Sequence, residues 1–196
     1  MHAVNKIKVG NKNYLYPVPT VLVGANVNGN PNYLNVSYCG IVNRVPAMIS
    51  ISLNKFHYTC NGIRENNSFS INIPSAEMLE VTDYCGIVSG KDVNKAKLFN
   101  IFYGDCNNAP MIQECPVSIE CSVIHELDLG GSNIIFIGKV VETYTEERYL
   151  THNVFDLKKI NPILLSVYEF NYYSVGEKIG KAWEVGKNLK KKRVKV

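Results

Sequence analysis

Two segments of the sequence combine residue types that suit the binding of an anion. Residues 50–59 place two serines on one face of a strand-like run and then add a lysine and Thr59. Residues 89–95 form a glycine-containing loop with two cations, Lys91 and Lys95. Hydroxyls, ammonium groups and the free N–H groups at a helix start are the donors that a phosphate group prefers. These segments predict an anion site, although each also fits a solvated strand face, a helix cap or a solvated helix end.

A third segment suits a flat ring next to that anion. Residues 35–40 end a predicted strand with small polar residues, which leaves backbone groups open at the strand end. Tyr38 lies within this segment and offers an aromatic wall. A planar ligand typically needs such a wall together with a few hydrogen bonds at its polar edge.

Short strands and few helices must position these segments. The apolar and polar alternation, broken by turn residues, predicts strands over residues 19–27, 32–39, 45–53, 68–73, 117–124 and 133–143. The turn at Asn28-Gly29 joins the first two into a hairpin. Short helices are predicted over residues 59–66 with Thr59 as the N-cap, over 75–86, and over 93–99 with Asp92 as the cap. This pattern favours an antiparallel barrel or sandwich and argues against a Rossmann fold.

Composition and charge exclude several functional classes. The chain has 196 residues, 46% hydrophobic and 19% charged, which is typical of a folded protein. No apolar run is long enough for a membrane span, and no export signal is evident, so a soluble cytoplasmic protein is expected. The last ten residues hold six of the 21 cations and none of the 17 acids, so the remainder carries a formal −2. This argues against a nucleic-acid groove, and we expect a solvated tail over 187–196, with RNA or an acidic membrane as the alternative contact.

The cysteines and histidines give no recognisable metal or nucleophile motif. None of the six cysteines forms a CxxC pair, so no zinc site is predicted and buried free thiols are expected. The metalloprotease, nucleophile-elbow, phosphate-loop and dinucleotide motifs are all missing. A Cys–His nucleophilic pair formed only in space stays open as an alternative.

The order of several motifs carries a family resemblance over about residues 14–187. The motifs are Leu15-Tyr16-Pro17, Asn28-Gly29, Ser50-Ile51-Ser52, the block Asp83-Tyr84-Cys85-Gly86-Ile87-Val88-Ser89-Gly90-Lys91 with Asn94-Lys95, Glu120-Cys121, Phe136-Ile137-Gly138-Lys139-Val140 and Gly180-Lys181-Ala182-Trp183. In this order and spacing they resemble the flavin reductase-like family with the FMN-binding split barrel, and within it the flavoredoxins.

The resemblance implies a mainly β fold: a six-stranded antiparallel Greek-key split β-barrel with short peripheral helices over residues 1–186. It also implies a homodimer with FMN bound near the subunit interface. The residues carried over as FMN-binding are Asn35, Val36, Ser37 and Tyr38 along the isoalloxazine ring, Ser50, Ser52, Leu53, Tyr58 and Thr59 at the ribityl-phosphate arm, and Gly90, Lys91 and Lys95 from the Ser-Gly loop. Lys91 is also the candidate cation near the reduced ring.

The implied function is redox chemistry through bound FMN, with no residue assigned to proton transfer. In the enzyme version, NAD(P)H reduces the flavin, which then reduces an acceptor. In the carrier version, a redox protein such as a ferredoxin supplies the electrons. Relatives often carry a histidine where Ser132-Asn133 stand here, which weakens the link to nicotinamide. A non-redox binding domain on a β-barrel is the third alternative.

Overall fold

The computed structural model describes residues 5–187 and residue 189, so the predicted tail lies outside the described residues except at these last two positions. The strands are β1 Val18–Pro19, β2 Val21–Val27, β3 Asn30–Val36, β4 Cys39–Asn43, β5 Met48–Asn54, β6 Ser68–Ile73, β7 Ile101–Phe102, β8 Met111–Ile112, β9 Val117–Asp128, β10 Asn133–Thr145, β11 Leu150–Thr151, β12 Val154–Phe155, β13 Leu164–Ser166 and β14 Asn171–Tyr173. The α-helices are α1 Tyr58–Asn66, α2 Leu79–Ile87 and α3 Leu157–Ile160, and short 3-10 turns cover Ala76–Met78, Lys95–Leu98 and Glu147–Tyr149.

The largest sheet has seven antiparallel strands in the order β3-β2-β6-β9-β10-β5-β4. This confirms the mainly β, antiparallel class. The strand count differs from the expected six because β4 pairs with the outer edge of β5 and adds a seventh strand. A second sheet in the order β1-β13-β14 lies beside the main one and is built mostly from the C-terminal part of the chain.

The main sheet closes on itself where β3 leads into β4. These are its two edge strands, and only Ser37 and Tyr38 separate them in the chain. The backbone N–H of Ser52 in β5 donates to the Tyr38 carbonyl oxygen at 2.8 Å, so the crossing segment is tied to the far side of the sheet. The sheet therefore curls into a barrel, which satisfies backbone groups that an open edge would leave exposed.

The interior of the barrel is filled by aliphatic and aromatic side chains from alternating strand positions. Ile51 and Leu53 of β5 are buried, whereas Ser50 and Ser52 point to the other face and are half-buried. This confirms the predicted alternation. The predicted hairpin is also confirmed, because Asn28 and Gly29 have φ of 50° and 74°, the left-handed pair that a tight two-residue turn requires.

Helix α1 packs directly on β2 through Gly62. A Cβ atom at Gly62 would overlap the backbone oxygen of Asn26 and lie 2.8 Å from the side chain of Val27. The absence of a side chain therefore allows the close approach of helix and strand. The first residues of α1 are brought next to β3 by the same packing, which matters for the site described below.

Two predicted helix caps are wrong. The N-cap of α1 is His57, and Thr59 is the second helical residue, buried and accepting a hydrogen bond from a distant strand. The helix predicted over 93–99 is a single 3-10 turn, Lys95–Leu98, capped by Asn94 instead of Asp92. It is short because the Lys95 side chain turns inward and is buried, which pulls this segment against the barrel. Among the described residues, no helix is both long and apolar enough to cross a membrane.

All six cysteines are free thiols, as expected, and four of them are buried. Burial raises the pKa of Cys60 and Cys85 to about 11 and that of Cys39 to about 12. These thiols are therefore protonated near neutral pH, which makes them poor nucleophiles. The alternative of a Cys–His nucleophilic pair gains no support from them.

Candidate functional site

A cleft of about 340 Å³ opens where β3 ends and β5 passes beside it. We call it the apolar lobe. Its lining residues are Asn35, Val36, Ser37, Tyr38, Ser52, Leu53, Asn54, His57, Asn133, Leu165, Val167 and Phe170. Apolar side chains from the barrel stand on one side and those of the C-terminal sheet on the other, with amides and hydroxyls between them. Two apolar walls with a polar rim suit a flat ring that hydrogen-bonds along one edge.

Hydrogen bonds hold the polar rim of the apolar lobe in place. The Asn133 amide donates from Nδ2 to Ser52 Oγ at 3.2 Å, which links β10 to β5. Asn35 Nδ2 donates to the Tyr172 hydroxyl at 3.2 Å, and that hydroxyl donates to Asp83 Oδ1 at 2.7 Å. These contacts fix the rotamers of the rim, so its remaining donors and acceptors are presented in a defined direction.

A second pocket of about 190 Å³, the polar lobe, lies between the start of α1 and the loop after α2. Its lining residues are Asn32, Leu34, Phe56, His57, Tyr58, Thr59, Gly86, Ile87, Val88, Ser89, Gly90 and Lys95. An adjoining groove of about 240 Å³ shares four of these residues and adds Lys91. His57 lines both lobes, and the groove shares residues with the polar lobe, so the apolar lobe, the polar lobe and the groove lie next to one another.

The first turn of α1 presents hydrogen-bond donors to the polar lobe. The first N–H groups of any α-helix have no acceptor within the helix. His57 provides no side-chain cap for them, and Tyr58 and Thr59 line the lobe. A helix start in this state favours a bound anion through its free N–H groups and its dipole.

Gly90 allows the loop after α2 to pack closely on β3. A Cβ atom there would overlap Asn32 Oδ1 and lie 3.0 Å from the ring of Tyr58. The space that a side chain would need is already filled by Asn32, so the loop can lie against β3 only because residue 90 is a glycine. Asn32 is itself buried, and its Oδ1 has no hydrogen-bond partner among the described residues.

Lys95 lines the polar lobe and also holds two elements of the fold together. Its side chain is 2% exposed, and its Nζ donates to the carbonyl oxygens of Tyr33 at 2.9 Å and Cys85 at 2.8 Å. It therefore joins β3 to α2, the two elements on either side of the polar lobe. Burial lowers the pKa of Lys95, and no carboxylate among the described residues forms an ion pair with it.

The three neighbouring cavities together gather all but one of the residues that the sequence assigned to a site. The apolar lobe holds Asn35, Val36, Ser37, Tyr38, Ser52 and Leu53, and the polar lobe and groove hold Tyr58, Thr59, Gly90, Lys91 and Lys95. Ser50 lies outside, where its Oγ donates to the Gly40 carbonyl oxygen at 3.3 Å. Lys91 is exposed in the groove, next to the polar lobe and not in the lining of the apolar one.

Sequence reasoning missed several lining residues. They are Asn32, Asn54, His57, Asn133, Leu165, Val167 and Phe170, among others. The sequence held a signal for His57, since it stands just before the predicted helix start. It held none for residues 165–170, which reach the cleft only because the C-terminal sheet folds back over the barrel.

His57 occupies the junction of the two lobes and is largely uncharged at neutral pH. Partial burial of the imidazole, with the nearby Lys95 ammonium as a smaller cause, lowers the pKa of His57 below its usual 6.5. A neutral imidazole presents one donor and one acceptor to the cleft. It can therefore hydrogen-bond a hydroxyl-bearing ligand at the side of the lobe that it lines.

This lowered pKa predicts an acid-sensitive contribution to stability. As pH falls below about 6.5 the unfolded chain binds a proton at His57 before the folded protein does, so the free energy of unfolding falls. We expect the free energy of unfolding to decrease less between about pH 7.5 and about pH 5.5 in His57→Gln than in wild type. Urea unfolding of the ligand-free protein at both pH values measures it. His125→Gln, at an exposed histidine on β9, is the control, and an equal change in both variants would contradict the prediction.

Comparison with known proteins identifies the family. Residues 13–163 match the model of the flavin reductase like domain, which is well over half of the chain. The chain belongs to the flavin reductase-like domain family. The structure is similar to flavoredoxin from Methanosarcina acetivorans, with 43% identity and a TM-score of 0.92 over 95% of this chain and 100% of that one. It is also similar to flavoredoxin of Desulfovibrio vulgaris (Miyazaki F), with 32% identity and a TM-score of 0.86 over 93% of this chain and 100% of that one.

The flavin reductase-like fold also extends to more distant structures. A Shewanella frigidimarina protein with a split barrel domain is 20% identical, with a TM-score of 0.74 over 85% of each chain. At that identity the likeness concerns the fold alone, and it agrees with the closure of the main sheet described above. Membership of the flavin reductase-like family supports a flavin as the class of cofactor.

Proposed function

We propose that this protein binds FMN with the isoalloxazine ring in the apolar lobe and the phosphate in the polar lobe. One observation carries the proposal: a lobe with apolar walls and a lobe rich in donors lie side by side, with His57 in the lining of both. FMN has the matching division into a flat heterocycle, a hydroxylated chain and a doubly charged phosphate. The family resemblance of the sequence supports the same cofactor.

The polar lobe suits a phosphate through donors of several kinds. The polar lobe is lined by the start of α1, with its free N–H groups, and by the hydroxyls of Thr59 and Ser89. The adjoining groove adds the exposed Lys91 ammonium. Charge-assisted hydrogen bonds of this kind are stronger than neutral ones. The buried Lys95 adds positive potential beneath the site without a compensating carboxylate among the described residues.

The apolar lobe suits the ring through its walls and rim. Val36 and Leu53 from the barrel and Leu165 from the C-terminal sheet provide apolar contact, and Asn35, Ser52 and Asn133 provide polar groups at the edge. When bound, the flavin supplies both hydride and single-electron chemistry. The chain's own part is to hold the ring, exclude water from one face of it and leave the other face accessible, as the 42% exposure of Tyr38 and 78% exposure of Phe170 indicate.

The first experiment is reconstitution. The purified protein, incubated with FMN and desalted, is expected to keep a stoichiometric flavin with the visible absorption bands of the bound cofactor. FAD and riboflavin serve as comparison ligands, since the polar lobe is small and predicts a preference for the monophosphate. A protein that stays colourless after incubation would contradict the proposal and favour a non-redox binding domain.

The leading form of the function is an NAD(P)H-dependent flavin reductase, and the carrier form is the second candidate. The open face of the apolar lobe favours the enzyme, because a nicotinamide must stack there. Ser132-Asn133 favours the carrier, because the family resemblance puts a histidine at this place and here Asn133 lines the apolar lobe instead. Anaerobic mixing with NADH and with NADPH separates the two. Fast bleaching of the flavin supports the enzyme, whereas reduction only by a ferredoxin-like donor supports the carrier.

Substitution of Lys91 tests the charge in the groove. We expect Lys91→Ala to weaken FMN binding about threefold to tenfold and riboflavin binding hardly at all, because only FMN carries the phosphate. The loss should shrink in about 0.5 M salt, since an exposed ammonium is screened. Fluorescence titration gives both dissociation constants. The matched control is Lys97→Ala, an exposed lysine in the nearby 3-10 turn Lys95–Leu98 that lines none of the three cavities, and an equal effect there would reject a specific role for Lys91.

We also propose that residues 1–186 form this flavin domain and that two copies associate in the cytoplasm. The edge strand β4 and the segment after it carry exposed apolar side chains, with Ile41 86% and Val45 83% exposed. The C-terminal segment adds Ile179 and Trp183, both more than 90% exposed. Apolar surface of this kind supports burial against a second copy of the chain. Light scattering at micromolar concentration is expected to give twice the mass of one chain.

A further inference from the structure

Asn32 is a buried polar residue at the base of the polar lobe. It lies on β3 and is 5% exposed. Its Nδ2 donates to Thr59 Oγ1 at 2.8 Å, whereas its Oδ1 has no partner among the described residues and lies against Gly90. An unpaired buried acceptor is destabilising, so its presence here points to a role that stability alone does not explain.

The direction of the Asn32–Thr59 hydrogen bond decides what Thr59 can do. A threonine hydroxyl has one proton and two lone pairs. Because Asn32 Nδ2 donates to it, one lone pair is used and the proton remains free to donate. That proton has no acceptor among the described residues, and Thr59 lines the polar lobe.

The surroundings of Asn32 favour this orientation of the amide. With Oδ1 toward Gly90, the carbonyl oxygen faces a Cα–H group, which is a weakly favourable contact. The reverse orientation would place the NH2 group against that methylene and would let Asn32 accept the Thr59 proton. It would thus leave the lobe without its hydroxyl donor.

We infer that Asn32 is a positioning residue that fixes the Thr59 hydroxyl as a donor toward the ligand's phosphate. The inference rests on the proposed FMN function and deepens it. Asn32 acts on the phosphate through Thr59 and not through the ring, because Asn32 lines the polar lobe and the groove but not the apolar lobe. Its effect on binding should therefore require both the Thr59 hydroxyl and the phosphate.

A double-mutant cycle tests this dependence. Asn32→Leu keeps the size of the side chain, Thr59→Val removes the hydroxyl, and the third variant combines them. Each is titrated with FMN and with riboflavin, which lacks the phosphate, and the ratio of the two dissociation constants is compared. We expect each single change to lower the preference for FMN about tenfold. The preference for FMN over riboflavin should be no lower in the combined variant than in Thr59→Val alone.

Other results would overturn the inference. Asn32 is only structural if its substitution weakens the binding of FMN and of riboflavin equally. The same conclusion follows if the combined variant lowers the preference for FMN by the product of the two single effects. If wild type binds FMN and riboflavin equally well, the phosphate is not held here, and the inference fails while flavin binding stands. If wild type binds neither flavin, the proposed function itself fails. Thr82→Val, at a buried helical threonine that lines none of the three cavities, is the control for Thr59→Val, and Asn32→Ala replaces Asn32→Leu if the latter does not fold.

Discussion

Gly90→Ala is expected to weaken FMN binding by between about fivefold and about a hundredfold. The added methyl group would overlap Asn32 Oδ1, and Asn32 cannot move away freely because it is buried and bonded to Thr59. Either the Ser-Gly loop shifts outward or the Asn32–Thr59 contact breaks. Overpacking of this kind costs about 1 to 3 kcal/mol, which corresponds to that range of affinity when the strain falls on the bound state.

Fluorescence titration of the ligand-free variant with FMN measures the effect. The backbone of Gly90 does not have a positive φ, so a methyl group is opposed by space and not by backbone strain. Gly131→Ala, in the β9–β10 turn where a methyl group meets nothing within 4 Å, is the matched control. If Gly90→Ala binds FMN as tightly as Gly131→Ala, the polar lobe is not where the phosphate lies.

Gly62→Ala is expected to lower the free energy of unfolding by about 2 kcal/mol. Alanine is the better helix former by about 1 kcal/mol, so a gain would follow if the position were open. Here the methyl group would overlap the Asn26 backbone oxygen, which belongs to the interior strand β2 and cannot rotate away. The overpacking cost exceeds the gain in propensity, and α1 must separate from β2.

Urea unfolding of Gly62→Ala beside Asn61→Ala measures this balance. Asn61 is the exposed neighbour on the same helix, where alanine adds propensity without a clash, and a small increase in stability is expected there. FMN affinity should also fall in Gly62→Ala, because the first turn of α1 moves with the helix. A Gly62→Ala protein as stable as Asn61→Ala would refute the close packing of α1 on β2.

Local patterns predicted the elements that depend on local physics. The Asn28-Gly29 turn was identifiable because its residues tolerate the left-handed backbone that the hairpin needs. The strand β5 was identifiable because Ile51 and Leu53 alternate with serines. The order of motifs along the chain then identified the family, which a list of separate patterns did not.

Features set by distant contacts were not predictable in this way. Thr59 looked like an N-cap, but it is buried because Asn32, 27 positions earlier on β3, bonds to it. Lys95 was predicted as an anion-binding cation, with a solvated helix end as the alternative, and neither interpretation predicted that its ammonium group donates to the carbonyl oxygens of Tyr33 and Cys85. The far wall of the apolar lobe comes from residues 165–170, whose sequence has no signature of a binding site. Each of these features depends on contacts between residues far apart in the chain, so a short segment of the sequence does not predict it.

The two lobes take their walls from different stretches of the gene. The polar lobe uses residues 32–34, 56–59 and 86–95, whereas the far side of the apolar lobe uses Leu165, Val167 and Phe170. Substitutions at those last three positions would change the entrance to the apolar lobe and would leave the lining of the polar lobe unchanged. In the proposed binding mode the architecture separates retention of the cofactor from choice of reaction partner, and it offers a scaffold for directed evolution in which only the second is varied.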